Sequence, residues 1–87
     1  MVPKVSFPIV VIGRPQNGTT EHPAIITRVW SPPDHDTANG PAIVNATMFP
    51  DGGGEPSFEN QIHLCDSREE AVARTGPMRC AYWAANS

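Results

Sequence analysis

Charge of either sign and long apolar runs are both scarce in this sequence. Charged residues make up 17% of the 87 residues and the formal net charge is −3, so the chain lacks the basic field that binding to long nucleic acid requires. Apolar runs such as Ile9 to Ile12 are far shorter than the ~20 residues of a membrane-spanning helix. We therefore expect no membrane segment and no binding of long nucleic acid.

Cysteine is also rare, and its spacing excludes common metal sites. Cys65 and Cys80 are the two cysteines, and neither belongs to a CxxC motif or to a Cys/His pair at zinc spacing. The N-terminal segment does not match a secretory signal, so we expect both thiols to be reduced and Cys80 to be buried. The sequence predicts neither a metal nor a cofactor.

Proline and glycine, by contrast, are abundant. The chain has 10 prolines and 7 glycines, and they interrupt it every few residues, which favours short strands and tight loops over long helices. A hydrophobic content of 39% is too high for a disordered chain. At this length we expect a single domain covering residues 1–87.

The stretch from His22 to Gly53 organises the prediction of the fold. Two alternating runs, at 22–30 and 41–49, are separated by a loop that begins at Ser31 and are followed by a glycine-rich turn. In the first run, one side carries Ile25, Thr27 and Val29, and the other carries Ala24, Ile26, Arg28 and Trp30. In the second run, one side carries Ile43, Asn45, Thr47 and Phe49, and the other carries Val44, Ala46 and Met48. Since both sides of each strand are partly apolar, a small barrel fits better than an open sheet.

The other segments complete a mainly β pattern. Ser67 and Glu70 form a capping box before a short helix, which should stop at Gly76-Pro77. The remaining predicted elements are strands at 9–12, 58–64 and 78–84, a polar connector at 13–21 with an Asn17-Gly18 turn, and a helix at 68–74. We predict a mainly β fold: a small, partly open SH3-like or OB-like barrel of about five short strands with one short helix.

Catalytic groups are hard to find. Asp34-His35-Asp36 could act as acid and base, but three consecutive loop residues rarely converge, and a solvated loop is the simpler interpretation. His22 could be a base, although a histidine beside a strand-starting proline is more often a structural hydrogen-bonding residue. The Asp51–Gly54 segment lacks the lysine and hydroxyl of a phosphate loop and predicts a turn. We therefore expect the protein not to be an enzyme.

Arginine and tryptophan give the sharper signal. Lys4 is the single lysine and the other five basic residues are arginines, whose rigid fork suits phosphate, although surface solubility explains the same bias. Arg28 and Trp30 share a strand face, as do Arg79 and Trp83. If the two strands are neighbours, their indoles and guanidiniums form a platform that stacks a base and binds phosphate. The alternatives are that both tryptophans belong to the core or a subunit interface, or that an interface seam forms the pocket.

The segments HPAIITRVW (His22 to Trp30) and VNATMFPDGG, with Trp83 near the C-terminus, resemble motifs of short proteins encoded in tailed-bacteriophage genomes. In those proteins HPAI(V/I)TxVW and VNxTxFPDG recur at similar spacing. The resemblance implies a small protein made in the cytoplasm of an infected bacterial cell. It implies roles such as inhibiting host enzymes, sequestering immune nucleotide signals or serving in the virion, and supplies no catalytic residues.

Three functional hypotheses follow. The first is a homo-oligomeric, non-enzymatic protein that binds and sequesters a host immune nucleotide messenger, such as a cyclic oligonucleotide or a cyclic ADP-ribose derivative. The second is a protein-interaction module, a virion accessory protein or an inhibitor of a host protein, anchored by an exposed patch of Trp30, Phe49 and Trp83. The third is a nucleotide-cleaving enzyme that uses His22 or His35. The predicted ligand-binding residues are Arg28, Trp30, Phe49, Arg79, Trp83 and His22.

Overall fold

The computed structural model describes residues 1–16, 18–32, 34–50 and 55–86, and strands dominate these ranges. The strands are β1 (Pro8–Gln16), β2 (Thr19–Val29), β3 (Ala42–Met48), β4 (Ser57–Cys65) and β5 (Cys80–Trp83). They form a closed barrel in chain order, because β5 pairs with β4 on one side and with β1 on the other. The prediction of a mainly β, five-stranded small barrel with one short helix is confirmed, and the barrel is closed rather than partly open.

The strand pairs differ in direction at one position of the barrel. Four neighbouring pairs are antiparallel, whereas β4 and β5 run parallel. Parallel neighbours cannot be joined by a tight hairpin, so the chain crosses between them through the helix α1 (Arg68–Arg74). Two short 3-10 turns, Thr37–Asn39 and Ala84–Asn86, complete the described secondary structure.

The first two strands are longer than the sequence predicted. The segment 13–21, predicted as a polar connector, instead belongs mostly to β1 and β2, and Gln16 pairs with Thr19. Polar side chains are compatible with strands here because Arg14 and Thr20 are exposed. Gly18 has φ +83, a conformation that glycine adopts readily. The predicted turn residue Asn17 and the predicted 51–54 turn lie outside the described residues.

The barrel interior is a single apolar cluster. Alternate residues of each strand point inward, as the period of a strand requires. The cluster consists of Ile9, Val11, Ala24, Ile26, Ala42, Val44, Ala46, Met48, Ile62, Leu64, Ala81 and Trp83. Many of these residues are alanine or valine, so the interior of this narrow barrel is filled by small side chains around a few large ones.

A second apolar cluster lies outside the barrel, under α1. Cys65, Ala71, Cys80 and Tyr82 are buried there, and Val10 and Ile12 pack against them. Both cysteines are free and buried, and burial raises the pKa of the Cys65 thiol to about 12. This second cluster explains why β1 and β5 are apolar on both sides: one side faces the barrel interior and the other faces the helix.

A bulge in β2 changes which side of the strand faces outward. Ile26 pairs with Ala46 and Arg28 pairs with the next residue of β3, Asn45, so Thr27 is the extra residue. The sequence placed Arg28 and Trp30 on the same side as the interior residue Ile26. The bulge instead turns both of them out of the barrel, and they still share a face with each other.

The helix matches its prediction at both ends. The Ser67 side chain accepts a hydrogen bond from the Glu70 backbone N–H at 3.2 Å, which satisfies one of the donors left open in the first turn. Arg74 pairs with Glu70 one turn earlier. After the C-cap residue Thr75, Gly76 has φ +152. The predicted range 68–74 is confirmed.

The sequence predicted a solvated loop between β2 and β3, whereas several hydrogen bonds hold this loop in place. Asp36 caps the Thr37–Asn39 turn and accepts a hydrogen bond from the α-amino group of Met1 at 2.8 Å, and this bond lowers the pKa of its carboxyl. Thr37 is buried. The His35 ring contacts the carbonyl of Gly40 at 3.0 Å, so both Asp36 and His35 take part in the hydrogen bonds of this turn.

Candidate functional site

One end of the barrel, which we call the Trp83 end, is closed by aromatic packing. Trp83 is 1% exposed, and its indole N–H donates a hydrogen bond to the Thr37 hydroxyl at 3.0 Å. The Phe7 ring meets it edge-on with 6.1 Å between centroids. The sequence placed Trp83 on a ligand platform with Trp30. The structure places it in the barrel interior, because β5 turns Ala81 and Trp83 inward.

The opposite end, which we call the Arg79 end, is closed by an ion pair. Arg79 lies 3.1 Å from the Glu59 carboxylate, and the two side chains are 33% and 22% exposed. Glu59 pairs across the sheet with the interior residue Ala46, so it points toward the barrel axis. A Cβ at Gly13 would lie 2.8 Å from Arg79 Nη1. The missing side chain at Gly13 therefore leaves the room that this guanidinium occupies.

His22 lies beneath the Arg79 end. It is 0% exposed, and its Nε2 contacts the backbone carbonyl of Arg14 at 2.8 Å. Its Nδ1 is buried and has no hydrogen-bond partner among the described residues. The sequence counted His22 among the ligand-binding residues. Full burial instead keeps its ring away from any ligand on the surface and gives it a structural role, the alternative that the sequence also raised.

Arg28 and Trp30 form the exposed pair that the sequence predicted. The Arg28 Cζ lies 3.8 Å from the centroid of the Trp30 ring, a cation–π geometry. Trp30 is 45% exposed, and its indole N–H donates to Asn45 Oδ1 at 2.7 Å. One exposed indole is therefore held in a fixed position on the outside of β2.

Phe49 is exposed but lies far from Trp30. Its backbone N–H donates to the Pro23 carbonyl, whereas Trp30 bonds to Ile43 at the other end of β3. Six residues of strand separate these positions by roughly 20 Å. Trp30, Phe49 and Trp83 consequently do not form the shared aromatic patch that the second hypothesis required.

A cleft of about 760 Å³ lies between the β1–β2 hairpin and α1, and we call it the helix cleft. Three of its charged lining residues are arginines and one is a glutamate. The lining residues are Ile12, Gly13, Arg14, Thr20, Glu21, Arg68, Val72, Thr75, Gly76, Pro77, Met78 and Arg79. Its size falls in the range of small-molecule sites.

Glu21 is the acidic centre of the helix cleft. Arg68 donates two hydrogen bonds to its carboxylate, at 2.8 and 3.0 Å, and the Tyr82 hydroxyl donates a third. Hydrogen bonding by Arg68 and then by Tyr82 lowers the pKa of Glu21 to about 2. Burial, together with the bond to Glu21, raises the pKa of Tyr82 to about 12. Arg68 thus has a carboxylate partner in the cleft, whereas no described carboxylate pairs with Arg14.

A second cleft of about 610 Å³ lies against the exposed tryptophan, and we call it the indole cleft. Its lining residues are Trp30, Ile43, Asn60, Gln61, His63, Pro77, Met78 and Arg79. Pro77, Met78 and Arg79 line both clefts. This segment is thus a ridge with a cationic cleft on one side and an aromatic cleft on the other.

Of the six predicted ligand-binding residues, the structure brings Trp30 and Arg79 to one cleft. Arg28 contacts the Trp30 ring but lines neither cleft, and Trp83, His22 and Phe49 also lie outside both. Sequence reasoning missed Arg14, Asn45 and Gln61. The arginine bias was the available signal for Arg14. No local pattern marks Asn45 or Gln61, because their positions depend on bulges in two neighbouring strands.

Among residues 1–16, 18–32, 34–50 and 55–86, no group of three or more His, Cys, Asp or Glu side chains is arranged to hold a metal ion. No helix in these ranges is long and apolar enough to cross a membrane. Comparison with known protein families, with curated proteins and with solved structures finds no match for this chain.

Proposed function

We propose that this protein is a non-enzymatic binder that captures a small anionic nucleotide. The observation that carries this proposal is the helix cleft with Arg14, Arg68 and Arg79 on its wall. With the resemblance to bacteriophage proteins, the proposed ligand is a host immune messenger of the cyclic oligonucleotide or cyclic ADP-ribose type. The proposed setting is the cytoplasm of an infected bacterial cell.

The cationic character of the helix cleft supports an anionic ligand. Arg68 and Arg79 are held in place by carboxylates, so their remaining N–H groups are oriented before a ligand arrives. Arg14 has no described ionic partner and can turn toward a phosphate. Arginine binds phosphate through two parallel hydrogen bonds, which fix orientation as well as adding affinity.

The ionisable groups near this cleft support capture rather than turnover. Glu21 is ionised and already accepts bonds from Arg68 and Tyr82, and His22 is fully buried. A general base must reach the proton that it removes, in a suitable protonation state. Capture requires affinity alone, so these engaged groups do not oppose it.

A thermal-shift panel tests the proposal. Cyclic dinucleotides, cyclic trinucleotides and cyclic ADP-ribose isomers are added to the purified protein, and bound material is then released by denaturation. A ligand at one hundred times its dissociation constant stabilises the fold by about 2.7 kcal/mol, which raises Tm by roughly 10–20 °C in a domain of this size. The released ligand should be intact; no shift with any member of the panel contradicts the proposal.

Two charge reversals provide a matched control. Arg14→Glu removes the cleft cation that has no carboxylate partner among the described residues, and the shift should fall by most of its value. Arg74→Glu changes charge equally but lies outside both clefts, where Arg74 pairs with Glu70. Its ligand-induced shift should stay near that of the wild type. Equal losses in the two variants would indicate a general charge effect rather than a site.

A second candidate function, a protein-interaction module, is favoured by the outer face of β2, β3 and β4. Phe49 and Phe58 are 43% and 61% exposed, and Phe58, Thr47 and Ile25 lie side by side across the strands. These residues carry no charge, so a second copy of the chain meets no like-charge repulsion there. We propose this face as the contact of a homo-oligomer. Phe58→Asp should convert an oligomer to monomer in analytical ultracentrifugation; an unchanged mass rules out this contact.

A further inference from the structure

We propose that the indole cleft is the subsite for a purine base. This inference rests on the proposed function for the identity of the ligand as a nucleotide and adds how that ligand lies. The base occupies the indole cleft and the phosphate reaches over the Pro77–Arg79 ridge to the helix cleft. Since both clefts share this ridge, one molecule can contact both.

The indole cleft contains a stacking surface that is fixed in advance. Trp30 is 45% exposed, yet three contacts hold it: its indole N–H donates to Asn45, its backbone N–H donates to Ile43, and the Arg28 guanidinium lies 3.8 Å from its ring centroid. A ring held in one orientation loses little rotational freedom when a ligand stacks on it. The bicyclic indole offers more overlap to a bicyclic purine than to a single pyrimidine ring.

The same cleft supplies groups that can bind the edge of a base. Asn60 and Gln61 line it, and each exposed amide offers two donors and an acceptor. This combination matches the mixed donors and acceptors on a purine edge.

Asn45 joins the stacking surface to the amides. Its Oδ1 accepts from the Trp30 indole at 2.7 Å and from the Gln61 backbone N–H at 2.9 Å. Asn45 is 7% exposed and lies where β2 bulges on one side and β4 on the other. A single buried oxygen therefore joins the Trp30 indole to the backbone of Gln61, the residue that carries one of the two amides.

Backbone strain gives an independent indication that this geometry is selected. Gln61 has φ +51, in the left-handed region that residues other than glycine, asparagine and aspartate seldom occupy. Such strain concentrates at ligand sites, where the surrounding structure holds it. Glycine would satisfy the backbone here with less strain, so the presence of glutamine is consistent with a use for its side chain.

Nucleosides without phosphate test the subsite separately from the anion site. Adenosine and guanosine are titrated against the wild-type protein while tryptophan fluorescence is recorded, and inorganic pyrophosphate is titrated in parallel. Trp83 is buried, so quenching reports Trp30. We expect both nucleosides to quench the fluorescence, and cytidine to bind more weakly than either.

Variants then assign the binding to the cleft. Trp30→Ala should weaken nucleoside binding, measured by calorimetry, by roughly 5- to 150-fold, and Trp30→Phe should retain most of the affinity. Gln61→Gly keeps the backbone geometry but removes the amide, and should reduce affinity several-fold. Val5→Ala, which shortens an exposed apolar side chain outside both clefts, should leave it unchanged.

The outcomes separate this inference from the proposed function. Pyrophosphate binding without nucleoside binding at millimolar concentration overturns the base subsite and leaves the anion site standing. Nucleoside binding that Trp30→Ala removes supports the subsite even if pyrophosphate fails to bind. Equal nucleoside affinity in the wild type and Trp30→Ala overturns the inference.

Discussion

The two ends of the barrel are closed by different chemistry. At the Trp83 end, a buried indole packs against Phe7 and bonds to Thr37. At the Arg79 end, a partly exposed ion pair spans the opening above His22, and Gly13 makes room for it. At each end, a residue in β5 or directly before it meets a partner elsewhere in the chain.

This difference indicates which end of the barrel is better suited to a binding site. Apolar packing and a buried hydrogen bond resist rearrangement, because any gap forfeits contacts. An ion pair with access to water can exchange its carboxylate for another anion at small cost. Both clefts include Arg79, so the adjustable end of the barrel is also the end beside the candidate site.

Removing the indole at the Trp83 end should have the largest effect. Trp83→Ala leaves a cavity in the barrel and an unpaired Thr37 hydroxyl, and should lower the free energy of unfolding by about 3–5 kcal/mol. Urea denaturation followed by circular dichroism measures it. Trp30→Ala, which removes an exposed indole, serves as the control and should cost less than half as much. Equal losses would mean that the two tryptophans share the core.

Breaking the ion pair at the Arg79 end should cost less. Arg79→Met leaves Glu59 without its partner and should lower the free energy of unfolding by about 1–2 kcal/mol, a value reduced because both groups retain contact with water. Adding Glu59→Leu removes the uncompensated carboxylate and should restore most of the loss. If the double variant is less stable than Arg79→Met alone, the Glu59 side chain stabilises the fold in some way besides its ion pair with Arg79. Both measurements use urea denaturation.

Acid should weaken the Arg79 side of the molecule through Glu21. Its pKa in the fold is lowered from the ordinary 4.5 to about 2, so its contribution is complete above pH 4.5 and is lost as the pH falls toward 2. Urea midpoints measured through this window should decline with pH. Glu21→Gln should flatten the decline, because it removes the titrating group. Asp36 at the Trp83 end also has a lowered pKa. Asp36→Asn therefore measures how much of the decline in the urea midpoint comes from the Trp83 end.

The smallest effect is expected between the two ends, at Gln61. Gln61→Gly relieves the positive φ and should raise the free energy of unfolding by about 0.5–1 kcal/mol. The urea midpoint should therefore increase while the slope of the transition stays constant. Gln61→Ala keeps the strain and serves as the control, with stability at or below that of the wild type. A loss of stability in Gln61→Gly would show that the Gln61 side chain stabilises the fold by packing and is not simply available to a ligand.

Local signals made part of the fold predictable. The Ser67–Glu70 capping box and Gly76 define a helix within one stretch of chain, and its range was predicted correctly. The strands of β3 and β4 followed from alternation, to within a residue or two. These features depend on residues that are close in sequence, so the local sequence is enough to predict them.

The candidate site depended on contacts between distant segments. Trp83 and Tyr82 lie on opposite sides of β5, and both sides are buried, so alternation alone could not say which ring enters the barrel. The Thr27 bulge turned Arg28 and Trp30 outward against the simple alternation of β2. Arg14 joined Arg79 at the helix cleft because two strands and a helix meet there. None of these outcomes is encoded in a short motif.

The parallel pairing of β4 with β5 has a consequence for how this barrel could acquire a binding function. Three antiparallel pairs join consecutive strands, but the parallel pair obliges the polypeptide to travel back along the outside between β4 and β5. That return path carries α1 and residues 75–79, which supply walls to both clefts. Under the proposed function, the segment that barrel closure requires is also the one that would contact the ligand, so its sequence can change while the strands that maintain the fold stay the same.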